Sequence, residues 1–266
     1  MLKKAKPRWI AGKECEMNVY AVFKTVVSPL KNTKLHIAGT AFYRIYANGK
    51  FVAAGPARTA QDYVREDVLR LDEYITVADK KCEIEIEACG YYCRSLSTCF
   101  QPSYILAEIQ RGEEVLAYSG KDFRGFLPEC HVQKTDRYTV QRHFTEIWDY
   151  RKCETLCNDG NEAKVAVVSE KPKILERTAP YPLYEDVTLT KTSVNGTYVF
   201  DETLPCKDFR WIWKVIPEYW GRYQTEEMEY RPWKWIWQQK QTVKERGKEL
   251  PLILEKGEYA VLDLVE

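Results

Sequence analysis

The sequence predicts an all-β chain, a β-sandwich or jelly roll followed by a smaller β-rich, Trp-rich second domain. Three observations point there. Apolar and polar residues alternate with a period of two along most of the 266 residues, the spacing that sends successive side chains to opposite faces of a strand. Turn signals of the Asn-Gly and Gly-Pro kind interrupt these runs about every ten residues, the rhythm of short antiparallel strands. Apolar residues make up 45% of the chain and aromatic residues 13%, enough to bury a core that outweighs the entropy of ordering it and to exclude disorder.

Arg8-Trp9-Ile10 leads into a first strand, Val19 to Val27, which is β-branched and aromatic and ends at Ser28-Pro29. Lys34 to Gly39 alternates. Ala41 to Ala47 runs into Asn48-Gly49, a pair that tolerates φ > 0 at both turn positions and so predicts a hairpin returning through Lys50 to Ala54. Gly55-Pro56 ends that strand. Lys81 to Ala88 alternates strictly, with glutamates on the wet face, and Tyr104 to Ile109 and Glu114 to Tyr118 flank a second hairpin turn at Arg111-Gly112-Glu113. Val140 to Tyr150 reads as extended, Ala163 to Val168 as a short strand, and Lys171 to Pro182, with three prolines, as a linker. Val187 to Thr190, a turn at Asn195-Gly196, Tyr198 to Phe200, Leu250 to Leu254 and Tyr259 to Val265 complete the pattern. The domains expected are 1–168 and 169–266.

Forty basic residues against thirty-nine acidic ones leave a formal net charge of +1, which gives no electrostatic footprint for nucleic acid or an anionic membrane. No run approaches a membrane span and no signal peptide is visible, so the expected location is cytoplasmic. The nine cysteines are then expected as free thiols. Cys89, Cys93 and Cys99 are too irregularly spaced for a zinc site, and no metal or cofactor is expected. No glycine pattern makes a phosphate loop.

Five stretches, taken in order, resemble the N-terminal, non-catalytic region of bacterial α-L-rhamnosidase-like glycoside hydrolases. They are Arg8-Trp9-Ile10; Tyr43 to Lys50 followed by Gly55-Pro56-Ala57-Arg58; Tyr138 to Asp149; Glu176-Arg177 before Pro180; and Gly257 to Leu264. The resemblance spans most of the chain outside a Trp-rich insert. It implies a galactose-binding-like sandwich that braces a downstream (α/α)6 catalytic barrel, the region that would carry the acid and base of glycoside hydrolysis. No residue here matches those carboxylates, so no catalytic residue is carried over.

Phe209 to Gln241 holds six of the eight tryptophans. Trp211/Trp213 and Trp233/Trp235/Trp237 recur at i, i+2, on one face of any strand. Flat rings suit the apolar face of a sugar, and equally a packed core or an interdomain surface. The candidate carbohydrate contacts are Arg58, Tyr63, Trp220, Trp233 and Trp235, with plant or microbial glycans as partners. Two alternatives remain open on the residues: a stand-alone lectin-like module, and a small self-contained hydrolase using carboxylates such as Glu146 and Asp149 beside His143.

Overall fold

A computed structural model describes residues 1–28, 31–74, 81–137, 139–152, 155–184, 187–201, 203–204, 220–229 and 239–263. Among these no α-helix occurs, and the architecture is all-β. By contacts, the described residues of Met1–Pro180 and Ile212–Glu229 form one compact unit, and those of Tyr181–Trp211 and Tyr230–Glu266 form a second.

The first unit is a sandwich of two sheets. Its strands are β1 (Arg8–Ile10), β2 (Val19–Val27), β3 (Thr33–Gly39), β4 (Phe42–Ala47), β5 (Lys50–Gly55), β6 (Tyr63–Arg70), β7 (Cys82–Gly90), β8 (Ile105–Arg111), β9 (Glu114–Tyr118), β10 (Arg124–Phe126), β11 (Glu162–Ala163), β12 (Val165–Val167) and β13 (Lys173–Glu176). One sheet runs β12-β1-β8-β3-β6-β13, with β9 also on β8; the other runs β11-β10-β2-β7-β4-β5. The alternation read from the sequence is the packing rule of the core. Phe23, Ile45, Ile84 and Ile86 from one sheet meet Trp9, Leu35, Ile37, Ile105 and Ile109 from the other, all essentially without exposure. The β4–β5 hairpin turns through Asn48 (φ 49°) and Gly49 (φ 75°), both left-handed, as the Asn-Gly pair predicts.

The sequence passes over β6, Tyr-Val-Arg-Glu-Asp-Val-Leu-Arg. Its Glu66 and Asp67 are almost fully buried, which charged residues tolerate only when partnered. Asp67 Oδ2 accepts from Tyr43 Oη at 2.6 Å and Oδ1 from Arg177 Nη1 at 2.9 Å. Glu66 Oε1 lies 2.9 Å from His36 Nδ1 and 3.5 Å from the Met1 ammonium. On the same outer face, Glu108 Oε2 accepts from three successive backbone amides, Lys3, Lys4 and Ala5. Burial raises the Glu108 carboxyl, but those amides and Gln110 outweigh it and leave the pKa below its usual value.

The Pro-rich linker is a strand in part. Residues Lys173–Glu176 pair in parallel with β6, Lys173 opposite Tyr63 and Glu176 opposite Glu66. Val140 to Tyr150 departs from the expected strand: it is irregular, apart from an isolated bridge between His131 and Trp148.

The second unit is a three-stranded sheet, β15-β14-β16, of β14 (Val194–Phe200), β15 (Gln239–Glu245) and β16 (Glu258–Val261). Asn195-Gly196 is not a turn but a bulge within β14. Gly196 is required there by close approach, since a Cβ would stand 2.1 Å from the Thr242 carbonyl oxygen. Trp211, Trp213, Trp233, Trp235 and Trp237 lie outside the described residues, as do Val265 and most of the Trp-rich insert.

Six described cysteines are free thiols: Cys15, Cys82, Cys89, Cys93, Cys99 and Cys157. Cys130 departs from that expectation, being disulfide-bonded to a partner outside the described residues.

Candidate functional site

Chain segments far apart in sequence gather at one place on the first unit. The connection after β1 brings Lys13, Cys15, Glu16 and Met17, and the loop after β7 brings Tyr92, Arg94 and Phe100. The segment after β10 contributes Gln133 and Lys134, and the segment after Trp220 contributes Gly221, Arg222, Tyr223 and Glu227. They enclose an open cleft of about 770 Å³, within the range of small-ligand sites.

Arg137 holds these segments together. Its side chain is fully buried. Its Nη1 donates to the Trp220 and Gly221 carbonyls at 2.6 and 2.9 Å, its Nε to the Arg142 carbonyl at 3.1 Å, and its Nη2 to the Arg94 and Val140 carbonyls. A planar fork of five donors suits this clustering of carbonyls. The Arg94 amide in turn donates to the Trp220 carbonyl at 2.8 Å. Tyr223 is fixed as tightly: its Oη donates to the Met17 carbonyl at 2.5 Å and accepts from Gln133 Nε2 at 3.1 Å.

The cleft wall combines rings with charged groups. Tyr92, itself at φ 37°, packs on Phe100 with ring centroids 4.6 Å apart. The Arg94 guanidinium lies 5.1 Å from the Phe100 centroid, and Lys134 Nζ is 5.9 Å from that of Tyr223. Lys13 pairs with Glu16 at 2.9 Å and Lys134 with Glu227 at 3.3 Å. Burial raises the Glu16 carboxyl, yet the hydrogen bonds from Gln133 and Lys13 and the Lys13 and Lys134 charges bring its pKa below the ordinary value.

None of the candidate residues named from sequence that the structure describes lines this cleft itself. Arg58 is exposed and its Nη2 donates to the Leu96 carbonyl, bracing the loop that carries Arg94 and Phe100. Tyr63, on β6, lies under the Lys173 ammonium at 5.1 Å. Trp220 joins through its carbonyl, which accepts from Arg94 and Arg137. Trp233 and Trp235 lie outside the described residues. The cleft-lining residues went unnamed because they come from short loops with no shared local pattern.

The segment around His143 is occupied by packing. The His143 ring stacks on Tyr91 at 3.9 Å with an interplanar angle of 8°, and its Nε2 lies 3.0 Å from Ser97 Oγ. Burial, assisted by the Arg137 charge, lowers its pKa to about 4, which leaves the ring neutral at ordinary pH. Asp149 Oδ1 accepts from Arg151 Nε and Oδ2 from Arg151 Nη2, each at 2.7 Å, while Glu146 is exposed. Among the described residues no group of His, Cys, Asp or Glu is placed to hold a metal ion, and no helix is long and apolar enough to cross a membrane.

No protein-family model and no curated protein sequence matches the chain. Solved structures do. The chain is similar to the GH78 family rhamnosidase of Bacillus sp. GL1 at a TM-score of 0.68 and 17% identity, over 76% of this chain and 22% of that one. Looser likenesses are to the α-L-rhamnosidase from Dictyoglumus thermophilum (TM-score 0.45, 15% identity, 77% of this chain and 27% of that one) and to that from Aspergillus terreus (TM-score 0.48, 11% identity, 97% and 36%). The five sequence stretches and the fold thus lead to the same enzymes: in fold, this chain resembles a portion of a GH78 α-L-rhamnosidase, about a fifth of its length.

Proposed function

We propose that the chain is the N-terminal accessory β-sandwich region of an α-L-rhamnosidase-like glycoside hydrolase. It supports a catalytic (α/α)6 barrel, holds glycan near it, and contributes no catalytic residue of its own. The observation that carries this reading is the fold likeness to a rhamnosidase of which the chain spans only 22%. Fold alone does not establish activity, so hydrolysis is the direct test. The isolated chain should release no more rhamnose from rhamnosides than a mock preparation. Turnover well above that background overturns the accessory role.

The glycan-holding part rests on the cleft beside Trp220 and on the tryptophans at 233 and 235. Aromatic walls with Arg, Gln and Glu side chains are the groups that contact sugar faces and hydroxyls. Titration calorimetry with rhamnose and with plant and microbial oligosaccharides tests it. Binding that weakens in Trp233→Ala or Trp235→Ala, or on replacing Arg58 or Tyr63, supports a glycan surface. A flat response across the panel removes it.

A further inference from the structure

The charges of the cleft narrow what it can take. Leaving aside Arg222, its lining includes three cations, Lys13, Arg94 and Lys134, against two carboxylates, Glu16 and Glu227. Both carboxylates are already engaged, by Lys13 and Lys134 respectively. Among the described residues no carboxylate pairs with Arg94, whose guanidinium lies against the Phe100 ring at 5.1 Å. Phe100 keeps 37% of its surface open. The Arg94 amide donates to the Trp220 carbonyl and the Arg94 carbonyl accepts from the Arg137 side chain, which fixes the backbone from which this exposed guanidinium extends. A guanidinium beside an open aromatic ring, in a cleft lined by excess positive charge, matches a flat sugar ring bearing an anionic group.

We infer that this cleft binds an anionic saccharide, with Arg94 receiving its carboxylate or sulfate and Tyr92 and Phe100 walling its ring. The inference deepens the glycan-holding reading and takes from it only the choice of a saccharide. Glu16 engages Lys13 and Gln133 through Oε2 alone, which leaves its Oε1 to accept sugar hydroxyls.

The test is titration calorimetry on the full chain with trigalacturonate, its methyl ester, a sulfated disaccharide and AMP. The expected result is binding of the uronate or the sulfated sugar, with the two arms telling carboxylate from sulfate. The neutral ester should bind at least about tenfold more weakly, and the preference should fall in about 0.5 M salt. Arg94→Gln should abolish that preference and Arg94→Lys should keep part of it, with thermal melts showing both variants folded. Phe100→Ala should weaken uronate and ester alike. Four outcomes overturn the inference: the neutral ester binding as tightly as the better-bound anionic sugar, AMP doing so, indifference to Arg94→Gln, and no binding of either anionic sugar. Neutral-glycan binding that survives Arg94→Gln but is lost in Trp233→Ala would leave the glycan-holding reading standing and remove only this one.

Discussion

Asp67 and Arg177 are 110 positions apart, yet their side chains are 2% and 8% exposed and 2.9 Å from one another. Removing either partner leaves a charge in the interior, a loss of about 3–5 kcal/mol. Asp67→Ala and Arg177→Ala should each lower the stability of the first unit by that order in urea titration. The double variant should fall well short of their sum, because the second removal relieves the stranded charge. The histidines give a pH signature. Burial lowers His131 from 6.5 to about 4, and burial with Arg137 does the same to His143. The unfolded chain therefore takes up protons near pH 6.5 that the folded chain refuses until about pH 4, so stability falls as pH drops through this window. Glu66 and Glu108, whose folded pKa values lie below 4.5, contribute stability that is present above the unfolded value and lost as pH falls below it, in the same direction. Melting temperature should be level between about pH 7 and 8 and decline steadily below it. His131→Gln should flatten the upper part of that decline, and a profile unchanged by the substitution would remove His131 as its source.

Strands were legible wherever one face is apolar and the other wet. The β4–β5 and β8–β9 hairpins and the strands β2 and β7 follow directly from alternation and turn residues, while the pairing of β2 with β7 does not. Others were not, β6 and β13 among them. β6 puts Glu66 and Asp67 at buried positions, and their partners, His36, the Met1 ammonium, Tyr43 and Arg177, are remote in sequence, so no local pattern signals the strand. β13 lies among prolines and joins in parallel, a pairing that needs no hairpin signal. Asn195-Gly196 misled in the opposite sense: a dipeptide that usually makes a turn serves here to let two backbones approach. Gly196→Ala should therefore disrupt β14–β15 pairing by forcing the Thr242 carbonyl aside. Hydrogen exchange should show faster exchange of amides in Val194–Phe200 and Gln239–Glu245, with the amides of β2 and β7 unchanged. Protection retained across β14 would argue that the sheet absorbs the methyl group.

At the scale of the molecule, the order of segments along the chain differs from their order in space. The sequence suggests a division after residue 168, whereas contacts group Met1–Pro180 with Ile212–Glu229. The cleft depends on that return. Trp220 and Gly221 supply two of the carbonyls around Arg137, and Tyr223 reaches the Met17 carbonyl. The candidate site was consequently the least legible feature, since its lining is assembled by long-range packing and carries no motif. Truncation separates the two divisions. A fragment of residues 1–168 loses β13 from the edge of β6, strands Asp67 without Arg177, and leaves Arg137 short of its two carbonyls. Each loss falls on a buried polar group with a desolvation cost of about 1–3 kcal/mol or more. That fragment should denature at markedly lower urea than residues 1–229 and lose the anionic-saccharide binding of the cleft, whose lining lies within 1–229, whereas 1–229 should keep both. Equal stability of the two fragments would establish residue 168 as the boundary of an independently folding sandwich and would detach the cleft's far wall from the fold that supports it.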